Sequence, residues 1–229
     1  MSDSKPKIHR KPTGEIGPLS IRTAGVNWDK IRFPDEKISQ EAKITSLFVT
    51  AMERSEDGLR LQVESLPEAD HDARLIADGE EIDLQLKEIV IRPKRGNPYQ
   101  SKTRRYDAGR FSDHLIEKIK QKRYASGGRP LWLLLYPTHW AFVPAPSVEF
   151  LLHNYFRSGS SPYDRVFLMH LLTTDHAELT GLYPTVTGQR AQSILAFRDE
   201  VTARAQDFVS ADPSTAASIP AGLFLPIPI

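Results

Sequence analysis

Residues 72–88 read Asp72-Ala73-Arg74-Leu75-Ile76-Ala77-Asp78-Gly79-Glu80-Glu81-Ile82-Asp83-Leu84-Gln85-Leu86-Lys87-Glu88, and their spacing decides how the rest of the chain is read. An aspartate opens a short strand-like run over 73–77, Asp78-Gly79 supplies a turn, and from Ile82 apolar and polar residues alternate. Alternation of period two marks a strand with one buried face. Successive strand side chains point to opposite faces, so Ile82, Leu84 and Leu86 share one face and Asp83, Gln85 and Lys87 the other. That second face gathers three polar groups within reach of Asp72. Acceptor oxygens beside an ammonium group are what a hard divalent cation and a phosphodiester require. The same pattern also suits a solvated strand face, and an aspartate is also an ordinary residue to cap a turn.

Upstream, Pro34-Asp35 offers a helix start, and Ile38, Glu41, Thr45, Phe48 and Met52 recur at helical spacing, which predicts a helix over 34–54. Leu59, Leu61 and Val63 then alternate with polar residues until Pro67, a first strand ahead of the two at 72–88. Downstream, a loop of turn formers and basic residues leads to a helix over 108–125 with an apolar stripe of Phe111, Leu115, Ile116 and Ile119. The run 131–136 is apolar throughout, as in a strand buried on both faces. A helix over 147–157, a strand over 165–171 and a helix over 189–209, anchored by Ile194, Leu195, Val201 and Phe208, complete the reading. This order predicts an α/β domain over 31–209, a central mixed β-sheet with helices on both faces. Residues 1–30, with Lys5, Lys7, Arg10 and Lys11, read as a flexible basic arm. Residues 210–229 read as a proline-rich apolar strap.

Composition removes whole classes of chemistry. Without cysteine there are no disulfides, thiolate zinc sites or cysteine nucleophiles. Thirty basic residues against 29 acidic ones give a net charge of +1, so attraction to a polyanion must be local. No apolar run reaches membrane-spanning length, and the N-terminus lacks the apolar core of a secretory signal, so a cytoplasmic protein without membrane contact is expected. Between Arg92 and Arg129, however, twelve basic residues meet only Asp107, Asp113 and Glu117. Arg110, His114, Lys118 and Lys122 recur every four residues and so share a helix face. With Arg95, Arg104 and Arg105 before them, and Tyr99 and Tyr106 available for stacking, they suit a nucleic-acid backbone; a solvated basic face has the same pattern. The histidines show no zinc spacing, Ser158, Ser160 and Ser161 no nucleophile elbow, and no glycine-rich loop ends in Lys-Ser or Lys-Thr.

Element order and polar residues together resemble the PD-(D/E)XK nuclease-like superfamily over residues 38–136, with 131–171 continuing as the helix and strand often added to that core. The resemblance implies a restriction-endonuclease-like core of order αβββαβ. Asp72 matches the family's metal-binding aspartate, Gln85 stands where Asp or Glu is usual, Lys87 matches the lysine, and Glu41 an additional first-helix glutamate. It further implies Mg2+ or Mn2+ held by Asp72 and Gln85, with Asp83 as a compensating ligand, and phosphodiester hydrolysis in nucleic acid. Two departures stand out. His71 replaces a proline that only shapes backbone, and Gln85 brings no negative charge, so a dication is held more weakly. The alternative is a catalytically weakened nuclease-fold protein that binds nucleic acid or a protein partner. A third reading is an assembly subunit whose strap, ending Leu223-Phe224-Leu225-Pro226-Ile227-Pro228-Ile229, docks onto a partner or a second copy.

Overall fold

Two residues set the hairpin at the centre of the molecule. Asp78 and Gly79 both take positive φ, 50° and 85°, as a two-residue type I′ turn needs if it is to follow the twist of its strands. They join β2 (Ala73–Ala77) to β3 (Glu80–Glu88) in antiparallel register, Ala77 opposite Glu80 and Ala73 opposite Leu84. The computed structural model describes residues 31–55, 58–64, 72–91, 103–121, 128–159 and 161–211. The expected basic arm, and the strap from residue 212 onward, lie outside the described residues.

The hairpin belongs to a six-stranded sheet in which β1 (Leu61–Glu64), β2 and β3 are followed by β5 (Leu131–Tyr136), β6 (Arg165–Thr173) and β7 (His176–Tyr183). β3, β5 and β6 run parallel and the outer pairs antiparallel, so the sheet is mixed, as expected. α1 (Lys37–Glu53) covers one face, where Ile44, Phe48 and Met52 share a core with Leu75, Leu84, Trp132 and Phe167. α2 (Ala108–Gln121) and α3 (Pro146–Ser158) cover the other, where Phe111, Leu115 and Phe156 meet Leu133, Leu135 and Val166. β5 explains its own composition: Leu131, Leu133 and Leu135 enter one core and Trp132, Leu134 and Tyr136 the other. A strand covered by helices on both sides has no polar face to keep.

Three expectations are revised. Ile38 is 73% exposed; it lies six residues, about one and two-thirds turns, before Ile44, which swings it away from the stripe that packs on the sheet. The helix expected over 189–209 is instead α4 (Ala191–Leu195), α5 (Glu200–Arg204) and β8 (Asp207–Ala211). Asp199 restarts the chain by accepting from the Thr202 amide at 2.6 Å, and β8 pairs with the unexpected strand β4 (Thr103–Asp107) in a separate two-stranded ribbon. Ile194 and Phe208 are buried as anchors, but Leu195 and Val201 are exposed. Phe208 stacks on Tyr106 at 5.2 Å between ring centres, a contact 102 residues away that local helix propensity could not foresee. Lastly, β7 and β4 carry no strong sequence signal, yet β7 closes one edge of the large sheet.

α2 begins where Asp107 Oδ1 accepts from the Arg110 backbone N–H at 2.7 Å, a helix-capping bond. Asp107→Ala is expected to cost about 1 kcal/mol, read as a lower denaturant midpoint with an unchanged slope.

Candidate functional site

Asp72 stands immediately before β2. Its Oδ2 accepts from the Leu86 amide of β3 at 2.7 Å, so the side chain continues the ladder where the β2 backbone no longer does. A charge-assisted bond of this kind holds a carboxylate in one orientation. Stepping the register once past the Ala73–Leu84 pair sets Asp72 across from Gln85. Lys87 lies two residues further along β3, on the Gln85 side by alternation, and is half-buried.

Gln85 is only 1% exposed, so the polar side of β3 is a buried one. Its Oε1 accepts from the Tyr163 hydroxyl at 2.9 Å, whereas Nε2 is buried and has no hydrogen-bond partner among the described residues. In this orientation the atom turned to Tyr163 is the oxygen a cation would need. Turning the amide over exchanges the roles, because a tyrosine hydroxyl accepts as well as donates.

Asp83 is committed elsewhere. Both its oxygens accept from Arg129 Nε at 3.1 Å, and Arg74 Nε stands 3.5 Å from Oδ1. The same guanidinium groups reach Glu81 and Glu64, which makes a charge network around the turn end of the hairpin. Asp83 is roughly 7 Å along the strand from Gln85. The arrangement therefore gives Asp83 to two arginines and does not bring it to Asp72.

At the other end of β3 the sheet gathers Asp72 and Glu41 with two groups that sequence reasoning missed, Glu88 and Tyr136. Tyr136, the last residue of β5 and opposite Glu88 in register, is buried against the α1 face. Burial holds its hydroxyl above the ordinary tyrosine range, and the fields of Glu88, Glu41 and Asp72 push the same way. α1, the head of β2 and the tail of β3 thus place three carboxylates within electrostatic reach of one phenol. Glu41 is half-buried and pairs with Lys37 at 3.2 Å; Glu88 accepts from the Thr138 hydroxyl. In the sequence Glu88 is only the end of an alternating run, and Tyr136 only the polar end of an apolar one. Among the described residues no group of three or more His, Asp or Glu side chains is placed to hold a metal ion.

The Tyr136 shift has a pH consequence. A phenol that ionises less readily in the folded chain leaves stability intact below the unfolded-state value of about 10 and removes it as pH rises beyond. Tyr136→Phe is expected to flatten that alkaline loss, seen in denaturant midpoints compared between about pH 9 and about pH 11. Tyr106, likewise raised by burial, keeps a residual slope.

The basic face is less open than its spacing implied. Lys118 donates to the Val90 carbonyl, and His114 is half-buried with Nε2 enclosed and unbonded among the described residues. Arg105 is exposed but bound to Asp207, with Nε 3.1 Å from Oδ2. Arg104 is half-buried, and Arg110 is exposed. Arg95 and Lys122, like Tyr99, lie outside the described residues.

No protein-family model, curated protein or solved structure matches this chain. No helix among the described residues is long and apolar enough to cross a membrane.

Proposed function

We propose that this chain is a metal-dependent nuclease-like protein of the PD-(D/E)XK kind, hydrolysing phosphodiester bonds in nucleic acid. The observation that carries the reading is the station of Asp72: at the head of β2, in register with Gln85 and beside the strand that bears Lys87. The order α1-β1-β2-β3-α2-β5, with β5 parallel to β3 and the helices on opposite faces, supports a restriction-endonuclease-like core. β4 is an addition between β3 and α2, and α3-β6 extends the sheet beyond β5.

The donor set fits a weakly held dication: one carboxylate on Asp72 and one amide oxygen on Gln85 once the amide is turned, whereas Glu41 and Glu88 lie toward Tyr136 on the α1 face. Such an ion, when bound, polarises a phosphate and lowers the pKa of an attacking water. The chain's own contribution is positional. The Leu86 amide fixes Asp72, Tyr163 fixes Gln85, and the Lys87 ammonium supplies positive charge where the phosphorane gains negative charge. A second reading, a catalytically weakened nuclease fold that binds nucleic acid or a protein partner, is favoured by the Gln85 oxygen turned to Tyr163 and by Asp83 held between arginines.

Cleavage of plasmid DNA and of RNA in Mg2+ or Mn2+ separates the two. The enzyme reading expects Asp72→Ala and Lys87→Ala each to lower the rate by about a hundredfold or more. Absence of cleavage in either metal, with binding that weakens steeply as salt rises, leaves the second reading standing and removes the first.

A further inference from the structure

The sheet edge farthest from β1 carries a cavity that the nuclease reading does not use. It has a volume of about 220 Å³ and lies where the C-terminal end of α1 meets β7 and the segment 187–190. That is below the roughly 300–1,000 Å³ of drug-sized ligand sites, a size that suits a small molecule. Met52, Phe167, Ala177 and Leu179 supply an apolar lining, and Arg54, His176 and Arg190 the basic one. Glu178 is the one carboxylate among the lining residues, against two guanidinium groups.

One arginine is held in place and the other is exposed at the mouth. Arg190 is anchored from behind by Glu149 of α3, which is fully buried, and by the His170 ring at 3.1 Å. Its Nε is enclosed and has no hydrogen-bond partner among the described residues. Arg54 touches the ring nitrogens of His176 at 2.9 and 3.0 Å. The wall between them is stiff: Gly181 and Thr187 exchange backbone bonds of 3.0 and 3.2 Å. A Cβ on Gly188, whose φ is +98°, would stand 2.4 Å from the Leu179 carbonyl oxygen, so the segment can lie this close only as glycine. Groups held in place before a ligand arrives lose little entropy when it binds.

We infer that this cavity is a binding site for a small molecule that carries one oxyanion, phosphate or carboxylate, on an apolar body. The Arg54 guanidinium takes the oxyanion, as a planar donor suited to paired oxygens, and Arg190, already paired with Glu149, adds only its remaining Nη hydrogens. The Met52–Phe167 lining takes the body. The site stands three strands away from β3, and its test does not depend on the nuclease reading.

Backbone amide shifts of Gly181, Thr187 and Gly188 are to be followed while inorganic phosphate, and separately benzoate, is titrated against chloride at equal ionic strength. Arg190 is a poor probe, because its removal takes a counter-charge from buried Glu149, so the variants are Arg54→Ala, exposed at the end of α1, and Ala177→Leu, which fills the lining. Saturable shifts confined to these amides are expected for at least one of the two anions, weakened about tenfold by Arg54→Ala. Ala177→Leu should weaken benzoate more than phosphate. A phosphate response alone assigns the site to phosphates, and a benzoate response alone to carboxylates with an apolar body. No saturable shift with either anion, or shifts that Arg54→Ala leaves at wild-type affinity, overturns the assignment.

Discussion

Replacing Gln85 by glutamate is expected to destabilise the protein at neutral pH without divalent ions and to be reversed by Mg2+ or Mn2+. The site is almost sealed, and the Tyr163 hydroxyl satisfies only one of the two new oxygens. The second oxygen takes the place of Nε2, which has no partner among the described residues. An ionised carboxylate so placed costs several kcal/mol, a fall in Tm of roughly 5–10 °C. Desolvation raises the folded-state pKa of the new acid above its unfolded value. The variant should therefore match the parent below about pH 4 and lose ground as pH rises from there. A dication bound between Asp72 and the new carboxylate removes the penalty, so the variant's Tm should climb with Mn2+ far more than the parent's. If neither ion restores it, the Gln85 position is not part of a metal site and the non-catalytic reading is the one left.

Arg190→Ala is expected to cost about 3–5 kcal/mol. Glu149 lies fully buried on α3, with Arg190 Nη2 on its Oε1 and His170 Nε2 3.7 Å from its Oε2. The His170 ring in turn meets the Thr180 hydroxyl at 3.1 Å. Removing the guanidinium leaves a carboxylate without its main counter-charge in a low-dielectric interior. Removing the carboxylate as well cancels most of the loss, so Arg190→Met with Glu149→Met should recover the greater part of the stability. Equilibrium unfolding of the single and double variants checks this, and a double variant no better than Arg190→Ala alone would show that the pair does not act as a unit.

Some of this molecule could be read from the order of its residues because the relevant physics is short-ranged. Asp78-Gly79 announces a turn wherever it occurs between strands, since glycine and aspartate tolerate positive φ. Phe48 and Met52 fall on one helix face by periodicity alone, and 131–136 is apolar because helices cover both its sides. The segment 189–209 misled for the complementary reason. Its residues are acceptable in a helix, but Phe208 finds Tyr106 and Phe111, and the ribbon with β4 wins over local propensity.

The candidate site divides along the same line. Alternation assigned Asp83, Gln85 and Lys87 to one face, and the stations of Asp72 and Gln85 follow from the hairpin register. Nothing in that alternation could tell that Gln85 would face Tyr163, 78 residues later, or that Asp83 would be claimed by Arg129. Nor could it tell that Lys118 would spend its charge on the Val90 carbonyl, or that Glu41, Asp72 and Glu88 would gather around Tyr136. Backbone geometry and face assignment depend on neighbours a few residues away, so the chain carries them in its spelling. Which partner a polar group meets, and whether water is excluded around it, depends on segments that only the closed sheet and its helices bring together.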